Sequence, residues 1–346
     1  MKNLSQASKN NMKKALWKTT ALALTCAFTL TSCHNNDDND VETIPLPPSA
    51  EAFANIRIDA TEQHTQHFQF NAEEGNGTFT SEKGITLIID GSCLTKDGNA
   101  VTGQVDVEFV ELFDKGNMLV TNKPTMGVMP DGNKALLISG GEFYINATQD
   151  GDQLDMNCFI QLQVPTDLTG GDDNDMILWK GNIDEDGNLA WEENKNPNGD
   201  GADGELFIGE REGVPGTQYY AFFNGFGWTN VDRFYNDPRP KTTLKVAVPE
   251  GYNHENSAVY LSYDGEANAL ANLDTYLPSE AVFSEHYGQI PIGLEVHVIF
   301  ATEDGGNWRY AIKAATIEED GVITFDYFET NIATEAQLTD LINNLP

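Results

Sequence analysis

Basic residues are scarce. Lys and Arg number 20 against 54 Asp and Glu in 346 residues. Five of those lysines and none of the acids precede residue 33. The chain from Cys33 onward therefore holds 15 basic against 54 acidic residues, a net charge of −39. No basic stripe is left to meet a phosphate backbone, which excludes nucleic acid as a partner. The same acidic field favours solubility and divalent cations and disfavours close approach to anionic lipid. Catalytic signatures are missing as well. The sequence has no GxSxG, no HExxH, no GxxxxGK[ST] and no GxGxxG opening a helix, so nucleophilic, zinc-protease and nucleotide-binding chemistry lack their usual marks. His64 and His67 have HxxH spacing, but on an extended chain they face opposite sides and read as surface histidines. Carboxylates are too many for any pair to stand out as acid and base. The chain is expected not to be an enzyme.

Long apolar runs are also lacking. The one near the N-terminus, Ala21–Leu30, is far shorter than the roughly 20 residues of a spanning helix. It follows Lys13, Lys14 and Lys18 and ends in Leu30-Thr31-Ser32-Cys33. Basic, apolar and small-residue regions in that order make a signal peptide over residues 1–32. Met12 gives the more usual length, so the true start is expected there. Leu30–Cys33 resembles the bacterial lipobox, which implies cleavage before Cys33 and lipidation of its sulfur; an ordinary secretory signal with an incidental cysteine is the other option. Each buried CH₂ contributes about 0.8 kcal/mol, and a single chain anchors only marginally. A bacterial lipoprotein normally carries three, so release should be negligible. After Cys33 comes HNNDDND, and residues 33–50 form an acidic and Pro-rich tether that composition alone makes solvated.

Cysteine is sparse. With Cys26 lost in the signal and Cys33 lipidated, Cys93 and Cys158 remain. Each shares the parity of apolar neighbours, Ile85, Leu87 and Ile89 for Cys93, and Ile160, Leu162 and Val164 for Cys158. Both are expected to point inward from strands, either as a disulfide or as two separate buried thiols.

What is abundant is β-turn chemistry. The sequence holds ten Asp-Gly pairs, Asp97-Gly98, Asp186-Gly187 and Asp320-Gly321 among them. Asp-Gly tolerates the positive φ of tight hairpin turns. Short, mostly alternating segments lie between them: VDVEF (105–109), FYINA (143–147), LKVAV (244–248), VHVIF (296–300) and ITFDY (323–327). This predicts a mostly-β protein. Two antiparallel β-sandwich domains, 51–168 and 239–346, are joined by an aromatic, hairpin-rich segment, 175–238, and a short C-terminal helix closes the chain. That helix is TEAQLTDLINNLP, with Thr334 and Gln337 as its capping box and Leu338, Leu341 and Ile342 as its apolar face.

Three stretches carry a family resemblance: GNAVTGQVDVEFVELFDKGNMLVTNKPTMG, LLISGGEFYINATQDGDQL and GFGWTNVDRFY. Together, over residues 84–235, they resemble a recurrent group of Bacteroidetes outer-surface lipoproteins. The first is also similar to the β-sandwich modules of carboxypeptidase-regulatory-like, cartilage-intermediate-layer-like and ZU5-like domains. The acidic tract after Cys33 resembles the export tract of such lipoproteins. The resemblance implies a sandwich fold and an outer-membrane location facing the cell exterior, and it carries no activity. Val231 stands where the GWxNxDRF pattern would carry a cysteine, so no redox or disulfide role is carried over to that motif.

Two candidate sites remain. NPNGDGADGE (196–205) offers Asn196, Asn198, Asp200 and Asp203 as oxygen ligands for a structural Ca²⁺, although position twelve is Phe207 where an EF-hand has Glu. Asp172, Asp173 and Asp175 form a second acidic cluster, and both stretches also suit a solvated loop. In GWTNVDRFY, Trp228, Asp232 and Tyr235 could form a sugar platform. They could equally plug the junction of two sandwiches, with Asp232 and Arg233 as a buried pair, and the crowded apolar QYYAFFNGF before them favours that structural role. Trp179 and Trp191 flank the Asp186-Gly187 hairpin, where core contacts need no ligand. No other cofactor is implied. The function expected is a lipid-anchored, cell-surface binding or assembly protein whose partners are the membrane and a surface protein or glycan. The alternative is a glycan- or nutrient-binding accessory of an outer-membrane uptake system.

Overall fold

The computed structural model describes residues 45–184, 187–194 and 204–346. The expected signal peptide, Cys33 and most of the expected tether lie outside the described residues. So does the candidate calcium loop, with Asn196, Asn198, Asp200 and Asp203. Residues Ile44–Pro346 form one compact unit. The protein is mostly β, with strands gathered into several sheets and a short helix at its C-terminus. Among the described residues no helix is long and apolar enough to cross a membrane.

The first sandwich stacks two sheets. The larger runs Gln66–Asn71, Gln104–Leu112, Lys134–Gln149, Gly227–Phe234, Ile177–Ile183, Leu189–Glu193, Met126–Val128. The smaller runs Gly204–Glu210, Thr217–Asn224, Phe159–Pro165, Thr86–Asp90, Asn76–Thr80. Alternation decides which side chains lie between them. Val105, Val107, Phe109, Phe143 and Ile145 face Leu87, Ile89, Ile160, Leu162 and Ala221 in one buried cluster.

The expected boundary at residue 168 is displaced. The segment 175–238 is an integral part of the first sandwich, because its strands complete both sheets. Gly227–Phe234 pairs with Lys134–Gln149, and Thr217–Asn224 pairs with Phe159–Pro165. Residues 51–168 alone would leave both of those strands with an open edge. The hairpin predicted around Asp186-Gly187 is present as the antiparallel pair Ile177–Ile183 and Leu189–Glu193.

The second sandwich packs Lys241–Ala247 and Val282–Pro291 against Ser257–Tyr263, Glu295–Asp304 and Asn307–Thr316. Its one parallel pairing, Lys241–Ala247 with Gly321–Thr324, departs from the antiparallel expectation. A backbone seam joins it to the first sandwich: Thr125 N–H donates to Leu270 O at 2.9 Å, and Ser139 N–H donates to Asn268 O at 3.2 Å.

Three α-helices cover the outer face of the second sandwich. α1 (Ala50–Gln63) is capped by Ser49, α2 (Lys115–Val120) by Asp114 and α3 (Glu335–Asn343) by the capping box of Thr334 and Gln337. Leu338 and Ile342 are buried, and Leu341 is exposed. α1 and α2 were not predicted. α1 shows only a narrow apolar stripe, Phe53, Ile56 and Ala60, which becomes a face once it lies on Tyr260, Ile299 and Trp308.

Cys93 and Cys158 are bonded, with Cα atoms 5.8 Å apart. Neither points into the core from a strand, as parity had suggested. Thr86–Asp90 ends in a 3₁₀ turn at Gly91–Cys93, and Cys158 lies between Asp155–Met156 and Phe159–Pro165, so both are only half-buried. The bond links positions 65 apart, which in the chain-entropy account is worth about 4 kcal/mol. Replacing both cysteines by serine should lower stability by about 2–5 kcal/mol in a denaturant melt; an unchanged midpoint would show that the bond does not constrain the unfolded chain.

Candidate functional site

The strand Gly227–Phe234 lies in the middle of the larger sheet. Val231 enters the sandwich core, while Trp228 and Phe234 join Trp179, Trp191 and Leu189 in a cluster on the opposite face. Trp228 is 9% exposed. Its ring lies 5.4 Å from that of Tyr144 and 6.5 Å from that of Trp191. Trp179 and Trp191 are fully buried, and their indole N–H groups donate to Asp232 O at 2.9 Å and Pro124 O at 3.0 Å.

A bulge adds polar groups to this face. Asn230 opposes Glu142 and Asp232 opposes Ser139, so Val231 alone faces Gly140 and Gly141. The extra residue flips parity and turns both Ser139 and Glu142 outward. Gly141 sits at φ +126°, and a Cβ there would lie 2.5 Å from the Phe143 ring, so only glycine fits. Asn230 Nδ2 donates to Asp232 Oδ2 at 2.5 Å. Asp232 and Glu142 are fully buried. Oδ1 of Asp232 and both carboxyl oxygens of Glu142 have no hydrogen-bond partner among the described residues. Burial holds both groups well above the usual carboxylate range, and for Glu142 the neighbouring Asp232 adds to it.

The predicted pair of Asp232 with Arg233 does not form. Adjacent residues on a strand face opposite sides, and Arg233 Nε instead meets Asp173 Oδ2 at 2.6 Å. Tyr235 also lies on the far side, its ring 5.2 Å from Tyr263 and its hydroxyl donating to Asp237. Trp228, Asp232 and Tyr235 therefore do not share one opening. In the second acidic cluster, Asp173 is committed to Arg233, Asp172 accepts from the Thr217 hydroxyl, and Asp175 N–H donates to Asp173. Among the described residues the one group with metal-ligand spacing is Asp90, Cys93 and Cys158, and its sulfurs are consumed by the disulfide.

What the outer face does form is a recess of about 580 Å³ between α1, the turn at Asn122-Lys123 and the rings of Tyr144 and Trp228. Its volume falls within the range of small-molecule pockets. Arg57 and Lys123 line it. Lys123 Nζ lies 5.2 Å from the Trp228 ring centroid, and burial, with the charge of Arg57, pushes its pKa down to about 8. Tyr144 also lines a second, more polar recess of about 770 Å³, with Asn146, Gln153, Asn157 and Phe226. Arg57 and Lys123 were not found in the sequence. They stand 66 positions apart, no local motif joins them, and α1 was not foreseen.

No family model matches the chain, and no curated protein matches it.

Two outcomes test this arrangement. Folding raises the proton affinity of Glu142 and Asp232, so their contribution to stability is complete below about pH 4 and is lost as pH rises towards the raised folded values. A Glu142→Gln/Asp232→Asn variant should therefore gain on the parent protein by up to about 1.4 kcal/mol per pH unit for each group, read from melts between pH 5 and 8. A constant difference would show that neither group is perturbed. Trp228→Ala should cost about 3–5 kcal/mol, as for a large buried aromatic; unchanged melting would make Trp228 an exposed platform after all.

Proposed function

We propose that the chain is a lipid-anchored, cell-surface binding protein without catalysis. The observation that carries the binding role is the recess on the outer face of the larger sheet, where aromatic walls and two cations converge on one opening. Pockets that combine an apolar lining with a few placed polar groups are the usual form of a small-ligand site. The anchor rests on the lipobox at Leu30–Cys33, and the outward-facing location on the acidic tract HNNDDND and on the resemblance of residues 84–235 to outer-surface lipoproteins. A calcium ion in the 196–205 loop would add stability without taking part in ligand chemistry.

A second reading, a glycan-binding accessory of an uptake system, is favoured by the neighbouring recess. Its side-chain amides of Asn146, Gln153 and Asn157 can bond hydroxyls, and Tyr144 and Phe226 offer ring surface. A neutral-glycan array on the purified chain separates the two, since only the second reading expects saturable binding that Asn146→Ala and Asn157→Ala abolish.

The anchor has its own test. Cys33→Ala should leave unprocessed precursor and abolish incorporation of a labelled fatty acid, and surface shaving of intact cells should then lose the protein. Normal processing and membrane retention in that variant would remove the lipoprotein reading.

A further inference from the structure

Arg57 and Lys123 are two cations facing one recess, and among the described residues neither is in an ion pair. Arg57 lies flat on Phe53, its Cζ 3.8 Å from the ring centroid, and its Nη2 donates to the Tyr260 hydroxyl at 3.2 Å. Tyr260 in turn donates to Asn122 Oδ1 at 2.6 Å. The Nε of Arg57 is buried and has no acceptor among the described residues. Lys123 follows Asn122, whose positive φ of 54° turns the chain. Its Nζ donates to Thr121 O at 3.0 Å. Among the described residues neither cation has a carboxylate within ion-pair distance.

Three described acids near the recess do not pair with either cation. Glu62 stands at the rim, with a side chain 72% exposed beside His67. Glu108 accepts from Asn146 Nδ2 at 3.0 Å. Glu142, beneath Lys123, is biased towards its neutral form by burial. Two half-buried like charges with no acid paired to them among the described residues repel one another. They are also a preformed anion site, since a guanidinium and an ammonium can share the two oxygens of a carboxylate. The rest of the opening is apolar: Ile58 is 62% exposed and Ile183 51% exposed, and the rings of Tyr144 and Trp228 form the wall. Lys123 covers a face of Trp228, so the indole serves as wall for an apolar body rather than as a stacking plate for a sugar.

We infer that this recess binds a monocarboxylate with an apolar body, its carboxylate held between Arg57 and Lys123 and its body along Ile58, Ile183, Tyr144 and Trp228. The assignment rests on the binding role proposed above and names the ligand class for that site.

The test is calorimetric titration of the full chain with decanoate and 4-phenylbutyrate, against their primary amides and against inorganic phosphate. Decanoate or 4-phenylbutyrate should bind saturably, at least tenfold tighter than its amide and than phosphate. Arg57→Gln and Lys123→Met should each weaken that binding tenfold or more, while melting without ligand stays within a few degrees of the parent protein or rises as the repulsion is relieved. Equal binding of acid and amide would overturn the anion assignment and leave the binding role standing. Phosphate as tight as the carboxylates would overturn the apolar body. Binding insensitive to both substitutions would place the ligand elsewhere. If no acid, amide or phosphate binds, the ligand class is wrong; should the glycan array also be blank, the binding role falls with it.

Discussion

The bond from the Trp179 indole to the carbonyl of Asp232 holds together the part of the molecule on which everything else depends. Gly227–Phe234 is a central strand of the larger sheet, pairing on one side with Lys134–Gln149 and on the other with Ile177–Ile183. It is buried on both faces. A strand in that position needs an apolar residue towards the sandwich core, which is Val231, and something to fill the opposite face. Three tryptophans fill it, and Trp179 and Trp191 each meet a backbone acceptor, so their burial leaves no unpaired indole N–H. Pro124, the acceptor for Trp191, belongs to the turn that carries Lys123. The aromatic cluster and the cationic turn are therefore one packing unit.

The seam between the sandwiches follows from the same strand. The bulge at Gly140-Gly141 lets Ser139 face the same side as Glu142, and Ser139 then meets Asn268 of the second sandwich through its backbone. Lys134 and Asp274 add an ion pair at 2.5 Å, largely shielded from solvent. α1 is the first described element yet packs on the second sandwich, so the first and last described elements close the same outer face. That brings Arg57, from α1, to the rim of a recess whose other wall belongs to the first sandwich.

Much of the fold is legible in local sequence, because alternation and Asp-Gly turns are local signals. VDVEF, FYINA and VHVIF are strands, and TEAQLTDLINNLP is a capped helix. Two things are not local. Sheet membership depends on hydrogen bonds between segments about 90 positions apart, such as Asp232 with Ser139, so nothing in 175–238 announces that it completes the first sandwich. α1 depends on what it lies upon. Its sequence AEAFANIRIDATEQ is weakly amphipathic, and Phe53 and Ala60 are buried only by tertiary contact. The site follows the same rule. Trp228 stood out in the sequence because aromatic and charged residues crowd around it. Arg57 and Lys123 did not, since isolated cations on separate elements leave no pattern. The supposed pair Asp232–Arg233 failed for a reason the sequence does contain, because neighbours on a strand cannot face the same side.

The buried acids and the half-buried cations are linked. An ionised Glu142 beneath Lys123 would draw the ammonium inward and cancel the charge that lines the recess. Burial, with Asp232 beside it, opposes that ionisation. Asp232 is itself held towards the neutral form by burial and retains a hydrogen bond from Asn230. The carboxyl pair thus acts as a polar filler that adds little negative charge under the sheet. Lys123 is left with a backbone carbonyl, an aromatic face and Arg57 as its neighbours. In a chain of net charge −34, a local positive potential survives only where nearby acids are solvated, already committed or held towards the neutral form, and Glu62, Glu108 and Glu142 meet those three conditions in turn.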